Sequence, residues 1–172
     1  MERIVRFGGY IGGEALNTGE QSVRIDRASR VILAAPRQLF RTYFEVETLK
    51  AWRVPEGAIG SYTVLEPHPG GRYCLNLLYP DRSEIGGPEA GIETVTGVFT
   101  EFVPDDRVVE EIRYANSDPS YAGLMTFTFT IEAAQGGSKV TIEAVGMPPA
   151  LEMDAHRAEL TAALRRLALL TE

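Results

Sequence analysis

Between Pro149 and Thr171 one arc of the helical period collects Met153, His156, Leu160, Ala163, Leu164, Leu167 and Leu170. Glu159, Arg165 and Arg166 fall on the other side, with Asp154 and Thr161 nearer the flanks. Pro149 suits a first helical turn, where its missing N–H costs nothing, and Glu152 suits the positive end of the helix dipole. Nothing inside the stretch breaks a helix. An apolar arc this wide cannot face water, so the chain must supply a second apolar surface to cover it. His156 is the one strongly polar group near the middle of the arc.

The covering surface is a sheet. Met125-Thr-Phe-Thr-Phe-Thr-Ile131 alternates strictly, which predicts Met125, Phe127, Phe129 and Ile131 buried and Thr126, Thr128 and Thr130 exposed. Further strands are expected at Ser22–Ala35, Tyr62–Leu65, Arg72–Tyr79, Thr94–Val103, Arg107–Tyr114 and Val140–Val145. Turns separate them at His68-Pro69-Gly70-Gly71, Pro104-Asp105-Asp106 and Gln135-Gly136-Gly137. After the first strand, Pro36 opens a short helix carrying Leu39, Phe40, Tyr43 and Phe44. A second carries Val46, Leu49 and Trp52 and ends in the turn Pro55-Glu56-Gly57. Pro80 to Glu93 reads as a mobile loop. The order lacks strand–helix alternation, which argues against a doubly wound fold. The expected class is α+β: one curved antiparallel sheet curling over the long terminal helix, with two short helices after the first strand. Residues 1–21, with five glycines, read as a flexible arm, and 22–172 as one domain.

The totals narrow the partners. A net charge of −7 with no dense basic run argues against nucleic acid. No apolar run reaches the length of a membrane span, and the start Met1-Glu-Arg-Ile-Val-Arg lacks a signal-peptide core, which predicts a cytoplasmic protein. The single cysteine, Cys74, excludes an internal disulfide and suits a reducing compartment.

Several short motifs, taken in order, carry a resemblance. They are Ala35-Pro36-Arg37-Gln38-Leu39-Phe40-Arg41, Leu49 to Gly57, Pro69-Gly70-Gly71-Arg72-Tyr73, Gly97 to Pro104, and Gly136 to Ile142. Together they resemble proteins related to the C-terminal domain of the activator of the heat-shock chaperone ATPase, within the START-like, polyketide cyclase-like superfamily. The resemblance implies a helix-grip fold, with a cavity between the sheet and the C-terminal helix. Two positions depart from the family pattern. The usual paired tryptophans are here Trp52-Arg53, and the usual Gly-Trp near the start of the last helix is here Glu159-Leu160. Loss of a tryptophan at the wall should enlarge or reshape the cavity.

In such a cavity Trp52, Tyr73, Leu75, Phe99, Tyr114, Phe127, Phe129, Met153, His156 and Leu160 become candidate ligand-binding residues; as a bare core the same residues simply pack. His156 can bond a ligand or act as a base, or it can rest against a carboxylate at the helix end. No catalytic residue is assigned: no serine motif appears, and Cys74 alternates with Tyr73 and Leu75 and faces away from the interior. No metal or cofactor is expected, because Glu152, His156 and Glu159 lack a further ligand and Glu159 points off the arc. Glu101, Glu110, Glu111 and Arg113 lie on strands, and alternation in Arg107–Tyr114 is too poor to say which face inward. The leading expectation is a non-enzymatic protein, monomer or weak homodimer, that binds a hydrophobic or amphipathic small molecule. A cyclase- or dehydratase-type enzyme using His156 is one alternative. A co-chaperone acting on a chaperone ATPase is the other.

Overall fold

The computed structural model describes residues 23–81 and 91–172. The arm at 1–21 and most of the loop expected from Pro80 lie outside the described residues. Within them the chain runs β1 (Ile25–Ile32), α1 (Pro36–Arg41), α2 (Val46–Arg53), β2 (Ile59–Leu65), β3 (Arg72–Leu78), β4 (Ile92–Val103) and β5 (Arg107–Tyr114). A 3-10 turn at Pro119–Tyr121 leads to β6 (Met125–Ala134), β7 (Gly137–Val145) and α3 (Met153–Thr171). The seven strands form one antiparallel sheet in the order β1-β7-β6-β5-β4-β3-β2. From β2 to β7 every neighbour in sequence is a neighbour in space. The β1-to-β2 connection leaves the sheet and carries α1 and α2 from one edge to the other. α3 lies along β1 and against α2. The apolar arc and the apolar sheet face thus cover each other, as the alternation and the helical period together require.

The strand bounds shift slightly from those expected. β1 is shorter than Ser22–Ala35, and β4 begins at Ile92 rather than Thr94. Arg107–Tyr114 alternates after all. Val108, Glu110 and Ile112 are buried while Glu111 and Arg113 are exposed. Adjacent valines and adjacent glutamates blur that period in the sequence. On β6, Met125, Phe129 and Ile131 are buried, but Phe127 and the three threonines are half-buried. The threonines are not fully exposed because β6 is an inner strand. Thr126 lies between Glu111 and Val145, and Thr128 between Val109 and Glu143, so each has a neighbouring side chain on both sides.

α3 needs two corrections. Its first turn starts at Met153, not Pro149, and Glu152 is the cap, its carboxylate accepting from the Asp154 and Ala155 amides at 3.1 and 2.7 Å. Its buried residues are Leu160, Ala163, Leu164, Leu167, Ala168 and Thr171, whereas Met153 and Leu170 are exposed. The covered stripe starts later than expected, at Leu160, and at its far end Thr171 turns inward in place of Leu170.

The core beneath α1 and α2 is aromatic. Tyr43 makes edge contacts with Trp52, Phe99, Phe102 and Phe129, with centroids 5.3 to 6.3 Å apart. Tyr73 crosses the sheet directly over its partner Gly97, where a Cβ would fall 2.3 Å from the ring. Gly97 therefore has a packing reason to lack a side chain.

Candidate functional site

A cavity of about 150 Å³ remains between the sheet and α3. Strands β3 to β7 contribute Leu75, Leu77, Val95, Ile112, Tyr114, Met125, Phe127 and Ala144. The helices and the turn after α2 contribute Trp52, Arg53, Pro55, His156, Glu159, Leu160 and Ala163. Ala144 and Ala163 are part of the reason space is left, since both bring only a methyl group to the sheet–helix contact.

Of the ten residues expected at the wall, Trp52, Leu75, Tyr114, Phe127, His156 and Leu160 line this cavity. Tyr73, Phe99 and Phe129 do not: they are buried in the solid aromatic core next to it, and Met153 is exposed at the start of α3. Glu159, expected to point off the arc, lies on the wall and pairs with Arg166, which also donates to the Trp52 carbonyl at 3.1 Å. These bonds pull both side chains in from the expected solvated side.

Arg53 is the residue that sequence reasoning missed. It is the last residue of α2, and its side chain is only 10% exposed. Nη1 donates to both oxygens of Glu110, at 3.0 Å each, and Nη2 lies 3.4 Å from Tyr73 Oη. Tyr73 donates its hydroxyl to Glu110 at 2.8 Å. Glu110 itself is fully buried, placed on the inner face of β5 opposite Phe99 and Phe127. The guanidinium sits 5.3 to 5.8 Å from the ring centroids of Tyr73, Phe127 and Trp52. Burial works against its charge, but Glu110 and the surrounding phenols outweigh this and hold its pKa well above the ordinary value. Burial pushes the Tyr73 phenol well up, and the Glu110 charge adds to it. Two signals in the sequence pointed here: the arginine standing where relatives carry a second tryptophan, and a glutamate on an inner strand.

His156 does not reach toward Tyr73 or Phe99. Its Nδ1 lies 2.8 Å from Asp26 Oδ2, on β1, while the ring still borders the cavity. Asp26 is fully buried and also takes two bonds from Arg24, at 2.9 and 2.6 Å. Arg24 bonds the Leu151 carbonyl as well, and Arg157 bonds that of Ile25. The cluster fastens the start of α3 to the sheet edge. The Arg24 hydrogen bonds, aided by His156, lower the Asp26 pKa against the effect of burial. Among the described residues no three His, Cys, Asp or Glu side chains gather as a metal site would need. His68 stays on its turn, exposed, with Nδ1 3.1 Å from the Pro69 carbonyl.

The family model described as Activator of Hsp90 ATPase homolog 1-like protein matches residues 33–172, well over half of the chain. The chain belongs to this family. Solved structures agree on the fold. A Chromobacterium violaceum protein aligns with a TM-score of 0.76 at 24% identity, over 86% of this chain and 96% of its own. A Rhodobacter sphaeroides protein gives 0.69 at 23%, covering 88% and 94%, and a Rhizobium loti protein 0.66 at 23%, covering 86% and 96%. At these identities they show a shared fold and no shared ligand. No curated protein matches the chain. No helix among the described residues is long and apolar enough to cross a membrane.

Proposed function

We propose that this member of the Activator of Hsp90 ATPase homolog 1-like family binds a small amphipathic molecule in the cavity between sheet and α3. The observation that carries the reading is Arg53, a charged donor held in place by Glu110 on a wall that is aromatic and aliphatic except for His156 and Glu159. An apolar pocket with a few fixed polar groups is the usual form of a small-molecule site. Native mass spectrometry of the purified protein tests it: a retained small molecule, lost on denaturation, is the expected result. Absence of any retained mass, together with no change in the NMR signals of Phe127 and Leu160 on adding hydrophobic probes, would count against it.

A second reading, an enzyme of the cyclase or dehydratase type, draws on His156. Its Nδ1 is engaged by a buried aspartate and its ring borders the cavity, which is the arrangement of an oriented base. A pH–rate profile abolished in His156→Ala would favour it. The family description also keeps a co-chaperone role in view, and co-purification with a chaperone ATPase would favour that. Work in a reducing, cytoplasmic setting fits the single cysteine.

A further inference from the structure

The ionisable side chains at the cavity wall are paired within the protein. Arg53 faces Glu110, Glu159 faces Arg166, and His156 faces Asp26, itself held by Arg24. A charged ligand entering this space would lose its water and find no uncommitted counter-charge among the described residues of the wall, which is a large penalty in a largely apolar site. A carboxylate would also share one guanidinium with Glu110, two like charges on a single cation.

A neutral acceptor faces no such cost. Only Nη1 of Arg53 is committed at good distance; the Nη2 contact with Tyr73 is long, at 3.4 Å. A guanidinium carries five N–H groups, so donors remain for a carbonyl or hydroxyl oxygen. Trp52, which lines the same cavity and is 1% exposed, has an indole N–H with no hydrogen-bond partner among the described residues. Both features call for an acceptor. Size limits the rest of the ligand: a cavity of about 150 Å³ accommodates one ring of benzene size. Phe127 and Tyr114 flank that space with aromatic surface.

We infer that the cavity selects an uncharged, single-ring compound bearing one carbonyl or hydroxyl acceptor, docked on Arg53, and discriminates against carboxylates of the same shape. This rests on the cavity-binding reading above, and the test separates the two. Acetophenone, benzoate and ethylbenzene match in shape and differ in polarity. Each is titrated at neutral pH by calorimetry and by NMR of Phe127, Tyr114 and Leu160. The expected result is acetophenone binding at least about tenfold more tightly than benzoate, since one uncompensated charge exceeds the 1.4 kcal/mol that tenfold represents. Glu110→Gln, which leaves Arg53 unpaired, should improve benzoate binding by about tenfold and so narrow or reverse the preference. The double variant Arg53→Met/Glu110→Leu, which leaves no buried charge, should lose the acetophenone affinity and keep that for ethylbenzene. Benzoate binding as tightly as acetophenone in the unaltered protein overturns the inference and leaves the cavity reading standing. Failure of all three probes to move any cavity signal overturns both.

Discussion

Glu110 is the side chain whose removal should hurt most. It is fully buried, and its only described partners are Arg53 and Tyr73. Glu110→Ala leaves a buried guanidinium without its counter-ion and should cost about 3–5 kcal/mol in urea denaturation. Replacing both partners, Arg53→Met with Glu110→Leu, should recover most of that loss, because no charge is then left buried. A double variant as unstable as Glu110→Ala would show that the pair contributes shape rather than charge compensation. Asp26 gives a prediction in pH. Its folded pKa is depressed, so its contribution is complete above the ordinary aspartate value of about 4 and is lost as pH falls through the lower folded value. Asp26→Asn should therefore cost about 1.5–3 kcal/mol at neutral pH and flatten the acid limb of the stability curve. An unchanged acid limb would place its partners in solvent. His156 was legible as the odd polar group on the last helix; its partner was not, because Asp26 lies 130 residues away in sequence.

Among the elements, α3 and its contact with the sheet dominate. Leu164 is 1% exposed between them, and Leu164→Ala should cost about 2–5 kcal/mol, with a denaturation midpoint to match. A loss within about half a kcal/mol, the scatter of surface changes, would contradict the packing. The β3–β4 pair offers a sharper test. A methyl group at Gly97 would land 2.3 Å from the Tyr73 ring, which is itself tied to Glu110. Gly97→Ala should cost about 1–3 kcal/mol and displace the Tyr73 hydroxyl from Glu110, readable as a changed phenol titration. The existence of these elements was legible from period and turn residues. Their ends were less so: Pro149 looked like a first-turn proline, whereas Glu152, able to accept from two amides, takes the cap.

At the level of the whole molecule, several phenols are buried in one wall-to-wall aromatic and polar interior. Burial raises the pKa of Tyr43, Tyr62, Tyr73 and Tyr114 above the ordinary tyrosine value. Each stays protonated in the folded protein after its unfolded counterpart ionises. Their contribution is thus whole below pH of about 10 and is lost as pH rises beyond it. Ultraviolet titration should show phenolate forming later in the native protein than in the urea-unfolded chain, with unfolding on the alkaline side. Coincident curves would mean that the interior is open to solvent.

Local pattern was enough for the class of fold. A strictly alternating strand, a run of turn-bounded strands and one wide-arced helix leave a curved antiparallel sheet over a helix as the compact way to bury both surfaces. The motif series pointed to the same family from a different direction. The division between core and cavity could not be read that way. Tyr73, Phe99 and Phe129 have the same inward parity as Leu75 and Phe127, yet three pack solid and two border open space. What separates them is which helix lies above each position, and that depends on α1 and α2 crossing the sheet between its two edges. The polar anchor was hidden for the same reason. Arg53 and Glu110 are 57 residues apart, and neither residue alone says that it faces inward toward the other. Only the close approach of the end of α2 to the inner face of β5 turns two ordinary charges into a buried pair.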